Sequence, residues 1–483
     1  MNSAPRIDPF MHRITRRSFL HQSAFGVGGL ALAHLLSPRG DATPPTPDAG
    51  RWRGTLRRPD FPVKARRVIH LCMAGGPSQF ETFDWKPALK KIHGQPFPAS
   101  LTKGQQLAQL QNSKLTARGS FTAFRKWGQS NQEISELFPH TGAIADDICI
   151  IRSMVTEQIN HDPAQAFMNS GSILTGRPSM GSWMLYGLGA ETDNLPGFLV
   201  LMSKSKSAGV QPVSARQWSA GFLPSRFQGV LFQSRGDAVH YVGNPEGVCQ
   251  SVQRLVVEEV QRQNGMLARD HLDPELETRI AQYEMAFRMQ TSVPDLTDFR
   301  HESRQMLDLY GIKEPGDGSF ASNCLLARRL AERGVRFIQL YHRGWDHHGD
   351  IEANMRIVAK ETDQPCAALV RDLKQRGLLD DTLVIWGGEF GRTPMSQGSG
   401  RDHHINAFSI WLAGGGIRGG RTYGATDELG YRSVENVVSF HDLHATMLRL
   451  CGIEHTRFTH RFQGLDARLT GVEPAHVVEA ILS

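Results

Sequence analysis

The chain has 483 residues, 40% hydrophobic and 21% charged, enough to bury a large core. Its formal charge of +6 is unevenly placed: 12 of the 54 Lys+Arg but 4 of the 48 Asp+Glu fall in residues 1–67, so the body is near neutral and shows no basic, aromatic-interleaved stripe for nucleic acid. The six cysteines stand far apart without a CxxC pair, which argues for buried free thiols against a disulfide framework or a zinc–thiolate site.

In chain order, the first feature is a leader. Thr15-Arg16-Arg17-Ser18-Phe19-Leu20 precedes a Gly-rich apolar run, the pattern of an export signal too short for a stable membrane span. The arginine pair with Ser-Phe-Leu behind it resembles a twin-arginine translocation signal, so residues 1–40 are expected to direct export to the periplasm or beyond. Residues 41–66, with a Pro-rich stretch at Thr43–Gly50, read as a linker. The body, 67–483, opens with "RRVIHLCMAGG", a buried strand ending in glycines. "DDICIIRSM" and "PGFLVLMS" are two further strands. From about 203 to 311 the pattern breaks into an insertion with one clear helix, "LETRIAQYEMAFRMQTS". An amphipathic helix over Ser322–Gly334 then feeds the strand "VRFIQLY"; a helix over Ala359–Gly377 feeds "TLVIWGG"; and "FSIWLAGGG" is the last strand. This alternation predicts an α/β fold: a three-layer, mainly parallel sheet with helices on both faces.

Residues able to do chemistry gather where these strands end, which is where open α/β sheets bind ligands. The first strand leads to Ser78, Glu81 and Asp84, and the second to Asn160, His161 and Asp162. "VRFIQLY" leads to "GWDHHGD", with Asp346, His347, His348 and Asp350, and "TLVIWGG" leads to Glu389 and Arg392. Asp402, His403 and His404 precede "FSIWLAGGG". Imidazoles and carboxylates converging from separate loops suit Zn²⁺, Mn²⁺ or a similar ion, whereas an all-oxygen set would favour Ca²⁺ or Mg²⁺. Each group also has a plainer reading. An Asp after a strand is commonly a helix cap, and Arg392 is equally a surface ion pair. In an extended loop Asp346 and His348 point to one side and His347 to the other.

The order of motifs resembles the alkaline phosphatase and sulfatase superfamily. "GLLDDTLVIWGGEFG" is similar to the sulfatase segment in which an apolar strand ends in a metal-binding turn, placing Glu389 at the ligand position. "HDLHATMLRLCGI" resembles the superfamily's closing helix, which makes Asp442 and His444 structural. Nearly the whole body, from about Arg67, resembles the DUF1501 family, through "AGGPSQFETFDWKP", "TGRPSMGSWMLYGLG", "GWDHHGD", "GEFGRTP", "GRDHH" and "HDLHATML". His404 departs from that family, which usually has Trp there. Gln79 and Glu81 stand where it often has His and Asp.

The resemblance implies a divalent metal ion (Zn, Mn or Ca) held by Asp346, His348 and His403. Glu389, with Asp84 or His161, completes that site or binds a second ion, and Arg392 pairs with an anionic oxygen. The segment His161–Gly171, which overlays the sulfatase nucleophile motif, has no Cys or Ser at the key position, so formylglycine chemistry has no residue to run on. Hydrolysis would need a metal-bound water, another nucleophile or His161 itself. Two functions follow as expectations: an exported hydrolase of phosphate or sulfate esters on small molecules or polysaccharide, or a non-catalytic binding or scaffold protein of the same fold. The loop after the first strand is expected to lie against "GWDHHGD".

Overall fold

The computed structural model describes residues 53–483, except 106, 237, 240–248 and 272–273. The expected signal and residues 41–52 of the expected linker lie outside the described residues. Two compact units are present. In the smaller, residues 1–49 with 244–272, the described part is the helix Gln250–His271. The larger, residues 50–243 with 273–483, contains everything that follows.

Among the described residues nine strands form its central sheet: β1 (Arg67–Ala74), β2 (Ile148–Val155), β3 (Phe198–Lys204), β4 (Val230–Leu231), β5 (Phe337–Arg343), β6 (Thr382–Gly387), β7 (Phe408–Ala413), β8 (Arg421–Tyr423) and β9 (Val438–Ser439). Their order is β8-β2-β7-β6-β1-β5-β3-β4, with β9 also on β2. From β6 to β4 every neighbour is parallel. The predicted last strand, β7, runs antiparallel to both β6 and β2, a direction its apolar sequence does not encode.

Alternation along β1 explains the three layers. Ile69, Leu71 and Met73 join an apolar cluster with Leu330 of α3 (Phe320–Glu332) and Leu369 of α4 (Ile351–Gln375). Val68, Cys72 and Ala74 join another, with Trp183 of α2 (Met180–Leu188) and Met447 of α5 (Phe440–Leu450). Successive side chains of a strand point to opposite faces, so a strand buried on both sides reads as an unbroken apolar run. The expected mainly parallel sheet, covered on both faces, is therefore present. α3 starts two residues before the expected helix, where the Ser319 hydroxyl accepts from Ser322 N–H at 3.2 Å. α4 starts eight residues early, directly after Asp350. The expected insertion is only partly separate: β4 extends the main sheet, and the helix Pro274–Thr297 belongs to the larger unit.

Ser439 and Asp442 form a capping box at the start of α5, and His444 donates to Met168 O at 2.8 Å. Both therefore serve the fold, as the resemblance implied. Five cysteines are buried free thiols, whereas Cys249 is exposed. No helix among the described residues is long and apolar enough to cross a membrane.

Candidate metal centre

β1 lies between β5 and β6, all three parallel, so their carboxyl ends open on one edge. The loop Gly344–Asp350 follows β5, Gly75 and Gly76 follow β1, and Gly388–Phe390 follows β6. Gly75 has φ +125°, and a Cβ there would sit 2.5 Å from Asp346 N, so only glycine allows the two loops to touch. Trp345 N–H donates to Ala74 O at 3.2 Å. The first-strand loop thus lies against "GWDHHGD". The antiparallel ribbon Gly391–Gln397/Gly400–His404 sets His403 opposite Arg392. His161 arrives on the first residue of α1 (His161–Ser170).

These elements bring His161, Asp346, His348 and His403 together, with one ligand atom from each within 4.8 Å of every other. Asp346 Oδ1 lies 2.9 Å from His348 Nε2 and 3.2 Å from His403 Nε2, and Asp346 Oδ2 lies 3.3 Å from His161 Nε2. The two Nε2 atoms of His348 and His403 are 3.0 Å apart. The far nitrogen of each ring faces an oxygen acceptor. His403 Nδ1–H donates to Ile159 O at 2.7 Å, His161 Nδ1–H to Glu389 Oε1 at 2.7 Å, and His348 Nδ1–H to Gln397 Oε1. In neutral imidazoles those bonds leave a lone pair on every Nε2. Lone pairs facing each other and a carboxylate repel unless a cation stands between them. Protons on all three rings would bury several charges together, at high desolvation cost. A divalent ion among these groups relieves the repulsion, so the residues present fit a metal.

The surroundings keep both carboxylates charged. Burial pushes the Asp346 carboxyl up, but the His161, His348 and His403 rings around it and the Arg392 charge outweigh it and hold it far below the usual carboxylate range. Glu389 is likewise pushed up by burial and brought below its ordinary value by His161 and by Gly75 N–H. Burial lowers His161, yet the two carboxylates beside it, Asp346 and Glu389, leave it raised. Burial, with the Arg392 and His161 charges, lowers His403.

Several expected residues are placed differently. Glu389 stays behind His161 and does not join the four; its oxygens also accept from Gly75 N–H at 3.0 and 3.2 Å. Asp84 is apart, held by Lys86 Nζ at 3.1 Å and the Thr426 hydroxyl at 2.5 Å. Arg392, expected to meet a substrate anion, is 1% exposed and already bonded to the carbonyls of Gly75, Gly76 and Arg401 and to Asp346 Oδ1 at 2.7 Å. It is buried and supports Asp346. His347 points away, as expected, its Nε2–H on Gly344 O at 2.8 Å, and burial lowers its pKa to about 3. His404 also turns away, onto Tyr431 O at 2.6 Å.

The family model described as a protein of unknown function, DUF1501, matches residues 65–482. The chain belongs to the DUF1501 family. No curated protein matches it. Solved structures similar to this DUF1501 protein include Ps i-CgsB in complex with k-i-k-neocarrahexaose (11% identity over 80% of this chain and 72% of that one, TM-score 0.36). The PsFucS1 sulfatase from Pseudoalteromonas sp. is another (13%, 81% and 68%, TM-score 0.35). A third is a protein in the alkaline phosphatase superfamily from Vibrio parahaemolyticus (8%, 83% and 70%, TM-score 0.33).

One part of the DUF1501 site has no counterpart in the sequence reading. The segment Ser205–Gln211 wraps the "GWDHHGD" loop. Ser207 Oγ donates to Gly344 O at 2.7 Å, Gly209 O accepts from Asp346 N–H at 3.3 Å, and Gln211 Nε2 donates to Asp346 Oδ2 at 2.6 Å. The only local hint is Gly209, whose φ of +77° and whose Cβ position, 2.1 Å from Asp346 O, demand glycine.

Proposed function

We propose that this protein is an exported, metal-dependent hydrolase of phosphate or sulfate esters that works without a formylglycine nucleophile. The observation carrying this reading is the set of three imidazoles whose Nδ1 atoms are pinned and whose Nε2 atoms converge on Asp346. Asp346, His348 and His403 would hold the ion, with His161 beside them. A divalent ion there supplies Lewis-acid polarisation of an ester oxygen and acidifies water. The chain's own groups do the rest. Arg392 and Gln211 fix the Asp346 carboxylate. Glu389 orients the His161 ring.

A second reading, a non-catalytic metal-holding protein that binds a polysaccharide ester, is favoured by one observation. Among the described residues, no hydroxyl or thiol hydrogen-bonds to any of the four clustered side chains. The test is elemental analysis of purified protein, then a panel of chromogenic phosphate and sulfate esters with and without chelator. Bound metal with chelator-sensitive turnover supports the hydrolase. Bound metal without turnover on any ester favours the second reading.

A further inference from the structure

We infer that His161 is a direct ligand of the ion, completing a single-ion set of three imidazoles and one carboxylate that takes a zinc-class ion and rejects calcium and magnesium. This rests on the metal-dependent reading above and assigns a role that reading leaves open, because a Glu–His pair beside a metal is also the arrangement of a general base.

Three observations separate the two roles. First, two ligands on one tetrahedral zinc with bonds of about 2.0–2.1 Å lie roughly 3.3 Å apart. His161 Nε2 stands 3.3 Å from Asp346 Oδ2, close to that spacing, while His348 and His403 face Oδ1 of the same carboxylate at 2.9 and 3.2 Å, so all three imidazoles bear on the one carboxylate. Second, that Nε2 is buried and has no hydrogen-bond partner, and what it faces is a carboxylate, which has no proton to give. A general base needs its free nitrogen open to water or substrate. Third, Glu389 cannot swing onto the ion in His161's place, because both its oxygens accept from Gly75 N–H and one also takes His161 Nδ1–H. A carboxylate behind a ligating imidazole fixes its tautomer and raises its basicity. The ring itself is wedged between Phe390 and His403, with centroids 5.0 and 4.4 Å away.

The donor set then decides the ion. Calcium and magnesium take oxygen ligands, six or more for calcium and a largely hydrated shell for magnesium. Three neutral nitrogens and one carboxylate match zinc, cobalt and similar borderline ions. Among the described residues this is the one cluster of its kind, so one ion is bound.

Cobalt(II) tests this directly, because its visible bands are strong at low coordination number and weak in a six-coordinate oxygen shell. Full-length protein stripped with chelator is titrated with cobalt, then with zinc, calcium and magnesium. The expected result is an intense visible spectrum that zinc abolishes and that calcium and magnesium leave alone. His161→Gln should shift or lose the bands and weaken cobalt binding well beyond the roughly 10–100-fold typical of an outer partner. Glu389→Gln should weaken binding within that smaller range and keep the bands. If His161→Gln folds poorly, His161→Gly with added free imidazole restores the ligand, and recovery of the wild-type bands supports direct ligation. Unchanged bands and affinity in His161→Gln, or displacement of cobalt by calcium, would overturn this inference alone. A wild-type protein that binds no cobalt or zinc would overturn the metal-dependent reading with it.

Discussion

His403 shows how a single side chain is committed to the site. Its Nδ1–H is bound to a backbone carbonyl, so the ring has one tautomer available and its Nε2 meets Asp346 Oδ1. Glu389 plays the corresponding part for His161, with the difference that the acceptor is a carboxylate. Glu389→Gln keeps the shape and removes the charge, and metal affinity is expected to fall by about 10–100-fold, read by competition with a chromophoric chelator. Asp346 is a poorer target, because truncating it leaves the Arg392 guanidinium buried and unpaired, at a cost of about 3–5 kcal/mol that would mask any loss of metal. At this scale the sequence showed Asp346, His348 and His403 well, since each sits in a His/Asp-rich turn beside an apolar strand. It could not sort ligands from their supports. Asp84 looks like a ligand by position, but Lys86, two residues on, neutralises it. Arg392 looks like an anion binder by type, but four carbonyls and Asp346 claim it.

The loops and the ribbon explain why these side chains stay in place. Arg401 in the ribbon pairs with Glu81 at 2.7 Å, and both side chains are fully buried. Glu81→Ala would strand the guanidinium in the interior and is expected to destabilise the fold by about 3–5 kcal/mol, measured by chemical denaturation. The Ser205–Gln211 strap acts from the other side. Gly209→Ala would bring a methyl group onto Asp346 O and force a residue with a Cβ to hold φ +77°, a strain of order 1–3 kcal/mol. The strap adds no residue to either apolar cluster, so metal affinity should drop while the thermal midpoint of the metal-free protein falls only by what that strain accounts for. Titration and thermal melts of the same variant check this. The parallel strands were legible in the sequence because burial on both faces makes each an unbroken apolar run. The direction of β7 was not, because "FSIWLA" buries the same side chains either way round. The strap was not legible either: it has no periodicity, and its contacts are to segments more than a hundred residues away in the chain.

Across the whole molecule, buried neutral histidines tie stability to pH. Burial lowers His70 to about 4, and burial with the neighbouring His441 charge lowers His444 to about 3, from an ordinary 6.5. In the window between those values and 6.5 the unfolded chain binds more protons, so stability is full above about pH 6.5 and declines as pH falls toward 4. The slope is about 1.4 kcal/mol per pH unit for each imidazole. Denaturation of metal-free protein across pH 4–7 should show this decline, with a shallower slope in His444→Gln; a flat profile would contradict it. Export is the other whole-chain expectation. Replacing Arg16 and Arg17 by Lys should leave precursor in the cytoplasm on fractionation, and undiminished export would remove the twin-arginine reading. The family and the layered fold were legible from strings spread over the body, whereas the closing of four distant segments on one carboxylate is a property of the assembled sheet. The measurement closest to the centre of this account is metal content by mass spectrometry of the purified protein, beside its His403→Ala variant. A stoichiometric transition ion in the wild type, lost in the variant, is the predicted result. Full occupancy in both, or none in the wild type even after incubation with zinc, would contradict the account.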